Sequence, residues 1–274
     1  MLDSRRGNSR GAVVALTVLF LFVAAASLAG VITGDPLTQR LDRALIPPFR
    51  EGFVLGTDHL GRDLFARLVH GARSSLVVSV GSALIAAVIG TTTGILAAID
   101  RRGGADRVLQ LWNDSLLAFP TILMAIAVAA VLEPGRQQVM WTLGVVFSPV
   151  LFRVSRSAAR QVIHREYYLV SRLLHTPLPF RTLLHMMPNV LPQVIVQSAS
   201  LAAVAIGTEA ALSFLGLGAQ PPEPSWGLML SDARRYLTQA PYLSIVPGVA
   251  AGVLAFSFQY LSDRMAGVVT ALEQ

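Results

Sequence analysis

Long apolar stretches alternate with short, arginine-bearing polar stretches along this chain. Residues 11–32, 75–99, 108–132, 190–215 and 242–261 are each apolar for about 20 residues or more. That is the length at which a helix rising about 1.5 Å per residue crosses a hydrocarbon core of about 30 Å. A further run, 139–152, is short for a span. Arg153, Arg156 and Arg160 follow it, and their aliphatic stems can carry the helix to the membrane surface. The pattern predicts an all-α, polytopic membrane protein with about six transmembrane helices. The first stretch follows Arg5, Arg6 and Arg10, as a signal peptide would. Its length and the lack of a small-residue cleavage site favour a retained first span.

Polar positions within the spans refine this picture. The second span carries Ser79, Gly81, Ser82, Gly90, Thr91, Thr92, Thr93 and Gly94, small residues that let helices approach where lipid gives no hydrophobic drive, so it is expected inside the bundle. The third contains Asp114 and Pro120, the latter expected to kink it. The fifth contains Glu209. A carboxylate in mid-bilayer is costly and should face a cavity or a partner. Asp114 and Glu209 are therefore either lining for a polar passage or structural acids paired with arginine or backbone, and Pro120 shapes either a pore or the packing. In the segment before the second span, Asp58, Arg62, Asp63, Arg67 and Arg73 are expected to form exposed ion pairs worth about 0–1 kcal/mol each. The chain divides at residue 73: 1–73 holds the first span and an outer loop, and 74–274 the transmembrane core.

The longest polar interruption in the second half is 166–189. A helix-length run over 165–174 precedes breaks at Pro177 and Pro179. Leu169, Leu173 and Leu174 fall three to four residues apart or adjacent and can share a face, beside Tyr167 and Tyr168. This is either a short helix that docks on a partner or an amphipathic segment lying on headgroups.

Composition agrees with the membrane reading: 53% of the 274 residues are apolar and 14% charged. All 22 basic residues are arginine, which excludes a lysine-dependent phosphate-binding loop. The lack of cysteine excludes disulfides, thiolate metal sites and cysteine nucleophiles. The five histidines form no metal-ligand motif, and no hydrolase triad is supported. The net charge of +6 is compatible with nucleic acid, but the arginines concentrate in the turns that the span count puts on one side, with both termini. That distribution reads as membrane topology with cytoplasmic N- and C-termini. Trp226, among Pro221, Pro222 and Pro224, is either an aromatic anchor at the interface or part of a docking loop on the outer side.

Three blocks resemble a known family. G-T-D-H-L-G-R-D with R-L-V-H-G-A-R-S-S-L (56–76), D-S-L-L-A-F-P (114–120) and L-S-F-L-G-L-G-A-Q-P-P-E-P-S-W-G-L-M-L (212–230) are similar to segments of the second, C-type permease subunit of bacterial ATP-binding-cassette importers for dipeptides, oligopeptides and nickel. The resemblance covers about residue 53 to the C-terminus. It implies the type I importer permease fold in the bacterial inner membrane, with no catalysis in this chain. It further implies a homologous second permease, one or two ATPase subunits that bind ATP and Mg²⁺, and a periplasmic or lipid-anchored solute-binding protein. Residues 159–189 then correspond to the cytoplasmic coupling loop, and Glu166, Tyr167, Tyr168, Arg172, Leu173, Leu174 and His175 to the helix that fits a cleft in the ATPase. The Met187-Pro188-Asn189 ending is close to the family pattern. The centre departs from it: Leu169, Val170 and Ser171 replace Glu-Ala-Ala, and His175 replaces a glycine expected to end the helix in a left-handed conformation. Histidine is among the residues that tolerate that conformation. Nickel or another small solute remains an alternative cargo, and a non-transport membrane enzyme or structural subunit an alternative class.

Overall fold

A computed structural model of the chain describes residues 3–100, 102–131 and 133–272. Arg101, Leu132 and Glu273, which entered the topology reading, lie outside these residues. The described residues form helices and connecting turns without a named strand. The helices are α1 (Asp3–Ser27), α2 (Ala29–Ile32), α3 (Leu64–Ile99), α4 (Gly104–Leu117), α5 (Thr121–Val131), α6 (Arg136–Ile163), α7 (Glu166–Leu173), α8 (Leu178–Arg181), α9 (Met187–Phe214), α10 (Trp226–Ala233) and α11 (Tyr242–Leu272). Among the described residues, four helical runs are long and apolar enough to cross a membrane, and α4 with α5 makes a fifth if the bent pair is one span. The apolar part of α1, Gly11–Ser27, is shorter, about 26 Å by the helical rise.

The centre of the bundle is the pair α3–α6, which is packed through small residues. A methyl group on Gly90 would stand 2.5 Å from the Ser148 carbonyl oxygen and 2.7 Å from the Leu151 Cβ. Ser155 Oγ donates across the pair to the Gly90 carbonyl at 3.1 Å. The small-residue face expected for the second span is therefore its packing face. Helix α9 packs on both of these helices and α11 packs on α9, while α1 lies against α11 and α3. One apolar core joins α3, α6, α7 and α9; a second joins α1, α10, α11 and the first turns of α3.

Three element boundaries differ from the sequence pattern. Helix α3 starts at Leu64 rather than near 75, because Asp63 caps it: its carboxylate accepts from the Phe65 amide at 2.9 Å. At Pro120 the chain does more than kink, since α4 and α5 meet at 90°. Residues 178–189, expected as polar loop, are helical, running from α8 through a π-turn at Thr182–Met186 into α9. Pro177 does stop a helix. Pro179 falls in the first turn of α8, where a missing N–H costs nothing, so it breaks none.

Candidate functional site

Polar chemistry collects at both ends of the bundle, and the two ends differ in kind. One end carries the segment between α2 and α3. Here the ion pairs expected to be exposed are instead buried, which overturns their assignment as weak surface pairs. Asp58, Arg62 and Arg67 are 5%, 8% and 1% exposed. Asp58 Oδ1 accepts from the Leu60 and Arg62 amides, both at 2.9 Å. Its Oδ2 lies 2.6 Å from Arg62 Nε and 3.4 Å from Arg67 Nε. Asp232 of α10 approaches both arginines, at 3.6 and 3.8 Å. Asp63, by contrast, spends its carboxylate on the α3 cap.

The surrounding loop is held as firmly. Gly61 has φ +71° and lies so close to the Arg40 carbonyl that a side chain could not fit. Thr57 Oγ1 accepts from the Ile46 amide at 2.9 Å and donates to the Arg43 carbonyl at 2.6 Å. The Tyr242 hydroxyl contacts the Ile46 and Thr57 carbonyls at 3.0 and 3.1 Å. Trp226, read from sequence as an interfacial anchor or docking residue, is 1% exposed. Its indole N–H donates to the Leu68 carbonyl at 2.9 Å, and its ring meets Phe22 edge-on at 5.8 Å. It braces α10 against α3 and α1 from beneath.

The opposite end carries α7. Its buried face is Tyr168 and Ser171, three residues apart, set into the core. Leu169, Leu173 and Leu174 are exposed, as are Glu166, Tyr167, Val170, Arg172 and His175. The helix closes as the sequence suggested: His175 has φ +55°. Its amide bonds to the Arg172 carbonyl at 3.1 Å and the Thr176 amide to the Ser171 carbonyl at 3.2 Å, the two bonds of a Schellman ending. Two aromatic contacts tie α7 forward. The Arg181 guanidinium lies 5.7 Å over the Tyr168 ring, and Tyr167 faces His185 at 6.0 Å. Arg181 ends α8 and His185 sits in the π-turn, so α7 is connected directly to the run that becomes α9.

At the same end, the first turn of α4 is fastened to the last turns of α6 by charge. Asp106 receives Arg156 through Nε at 2.6 Å and Nη2 at 2.8 Å, a bidentate pair, and Arg160 at 2.9 Å. Two turns further on, Asp114 meets Arg153 at 2.7 Å, both more than half exposed. Glu209 is 1% exposed and receives the hydroxyls of Ser213 at 2.8 Å and Ser75 at 3.2 Å, so it joins α9 to α3. Asp114 and Glu209 thus lie apart in different environments: one pair on an open face, one acid inside the packing. Sequence reading missed the Asp106 clamp. Its signal was the four-residue spacing of Arg156 and Arg160, which puts two guanidiniums on one helical face. Near Asp106, Asp100 is half-buried and held below the ordinary carboxylate range, first by the Asp106 amide and also by those of Arg102 and Ala105.

Comparison with known proteins agrees with this geometry. Residues 90–270 match the family described as binding-protein-dependent transport system inner membrane component. The chain is 36% identical over 264 residues to a di/tripeptide transport system permease protein of Pseudomonas aeruginosa, covering 94% of this chain and 87% of that one. It is 35% identical to a dipeptide transport system permease protein of Alkalihalophilus pseudofirmus, covering 93% and 83%. It is 37% identical to a glutathione transport system permease protein of Pectobacterium atrosepticum, covering 77% and 70%. Among solved structures, a chain of the MetNI methionine ABC transporter in an inward-facing form superposes with a TM-score of 0.59 at 18% identity, over 74% of this chain and 96% of that one. That likeness shows a shared fold. With a family match across more than half of its length and relatives above 30% identity over nearly all of it, this chain belongs to the binding-protein-dependent transport system inner membrane component family of multi-pass permeases.

Proposed function

We propose that this chain is one of two permease subunits of an importer of short peptides, driven by separate ATPases. The observation that carries the coupling is the two-turn helix α7. It keeps a row of leucines uncovered while Tyr168 and Tyr167 connect it to α8 and the π-turn. Exposed leucine on a helix anchored by its other face suits insertion into a cleft. Glu166, Tyr167, Arg172, Leu173, Leu174 and His175 would touch the ATPase, and Tyr168 would carry the displacement inward. The α7 end then faces the cytoplasm with both termini, and the buried charge cluster faces the binding protein. ATP and Mg²⁺ reside on the partners, which close on nucleotide and supply the differential interaction needed to shift the bundle between two states. The chain itself is non-catalytic.

The peptide cargo is supported by the dipeptide and di/tripeptide relatives. The glutathione relative favours a second reading within the same class, a modified tripeptide. The Asp114–Arg153 pair, open on one chain, suits a polar passage shared with the second permease or a contact with it, and Pro120 sets the angle of that face. Glu209, enclosed by α3 and α9, suits a joint between helices rather than a lining.

Uptake of labelled dipeptide, oligopeptide, glutathione and nickel by cells lacking only this subunit tests the reading. Loss of peptide uptake with nickel uptake intact is expected. Loss of nickel uptake alone overturns the peptide assignment. Copurification of ATPases and a second permease separates a transporter from a membrane enzyme or scaffold. Orientation has its own test, since the chain lacks cysteine. A His175→Cys variant produced without the ATPases should react with an impermeant thiol reagent only after the cells are opened; labelling of intact cells would reverse the topology.

A further inference from the structure

At the end of the bundle that carries the buried charge cluster, the turn into α6 and the loop after α9 face each other across an open cavity of about 800 Å³. Glu133, Arg136, Gln138 and Trp141 form one wall, and Gln220 and Glu223 the other. Arg136 Nη1 lies 3.3 Å from Glu223 Oε2, a single half-exposed pair bridging the walls. Glu133 has no ion-pair partner among the described residues. The Gln138 side-chain amide nitrogen is shielded from solvent and has no hydrogen-bond partner among the described residues. Trp141 is exposed over more than half its surface.

The charge inventory is specific. One guanidinium and two carboxylates surround a space within the usual range for small-molecule sites. A lone cation would engage Glu133 alone, because Arg136 already holds Glu223, and a lone carboxylate on Arg136 would release Glu223 with no cation to meet either acid. A small zwitterion engages all three charged groups. Its carboxylate takes the Arg136 fork, displacing Glu223. Its ammonium then lies between Glu133 and the released Glu223. The Trp141 face receives an apolar or cationic side chain. A second negative charge on the ligand would meet two acids.

We propose that this cavity is a transit site that reads both termini of a short peptide, Arg136 holding the carboxylate and Glu133 with Glu223 the ammonium. It favours neutral or basic side chains over acidic ones. The inference rests on the peptide reading of the function and adds to it the residues and the charge preference.

The test uses the complete importer in lipid nanodiscs without its binding protein, and saturation-transfer NMR with Ala-Phe, its C-terminal amide, its N-acetyl form and Asp-Phe. Ala-Phe is expected to bind about tenfold more tightly than either blocked form, as the loss of one charge-assisted pair implies. Asp-Phe should be weaker than Ala-Phe. This comparison needs no mutant. In Arg136→Gln the free and amidated peptides should become equivalent, and in the double variant Glu133→Gln with Glu223→Gln the free and acetylated ones. Equal signals from free and blocked peptides on the unaltered complex, or none from any, would overturn the site. So would variants that lose binding-protein docking while peptide signals stay unchanged, which would mark the cavity as a protein-docking surface. Failure here with dipeptide uptake still dependent on the subunit sinks the site alone; uptake independent of the subunit sinks the peptide reading.

Discussion

His175 is held in a left-handed conformation that costs a residue with a β-carbon about 1–2 kcal/mol. His175→Gly should therefore be neutral or stabilising by up to about 1 kcal/mol, while His175→Val, β-branched and poorly tolerated at positive φ, should be destabilising. Thermal melts of the solubilised complex would measure both. This position was legible through the family resemblance, which implies a helix-ending glycine there, and histidine is among the residues that tolerate the left-handed conformation. Trp226 was not legible. A tryptophan among prolines reads as exposed, and only the fold shows that Gly71 leaves room for the indole against α3, with its Cδ1 3.0 Å from where a β-carbon would lie. Asp100 carries a pH expectation. Its folded-state acidity is stronger than in the open chain, so its stabilisation is complete above the ordinary carboxylate range and is lost as pH falls through the depressed value. Acidification should accordingly lower the melting temperature of the native chain more than that of Asp100→Asn.

Among the elements, α7 makes the sharpest prediction. Leu173→Asp places a charge on its uncovered face without disturbing Tyr168 or Ser171. Membrane abundance should be unchanged while peptide uptake falls about tenfold or more, the scale of losing one buried leucine from an interface, and ATP hydrolysis continues uncoupled. Unchanged uptake at equal abundance would count against α7 as the coupling element. For the α3–α6 pair, Gly90→Val should cost about 1–3 kcal/mol or prevent assembly, since Ser148 and Leu151 leave no space for a side chain. The close-packed face of α3 was readable from its small residues. Its true start was not. Arg67, His70, Arg73 and Ser74 interrupt the apolar pattern, and only the pairing of Arg67 with Asp58 and Asp232 explains why the helix continues through them. The helix over 178–189 was hidden for a related reason: two prolines read as breakers, and one of them occupies a first turn.

Across the whole molecule, Asp58 ties the 33–63 segment, α3 and, through Arg62 and Arg67, α10 into one body. Asp58→Asn should destabilise the chain by about 3–5 kcal/mol, because two guanidiniums lose their nearest buried counter-charge. Asp63→Asn should be nearly neutral, since asparagine caps a helix as well as aspartate does. Comparing expression and melting of the two variants separates a buried pair from a cap only five residues away. The span pattern made the fold class readable, while the tertiary partners of these charges lie too far apart in sequence for any local pattern to reveal them. The 36 residues of α3 carry one more consequence. A rod of about 54 Å would have to lean by about 56° to hide within about 30 Å of hydrocarbon, beyond the usual limit of about 40°. Even at that limit about 11 Å must stand clear of the oily layer, so part of α3 lies at headgroup depth, within reach of a visiting water-soluble protein.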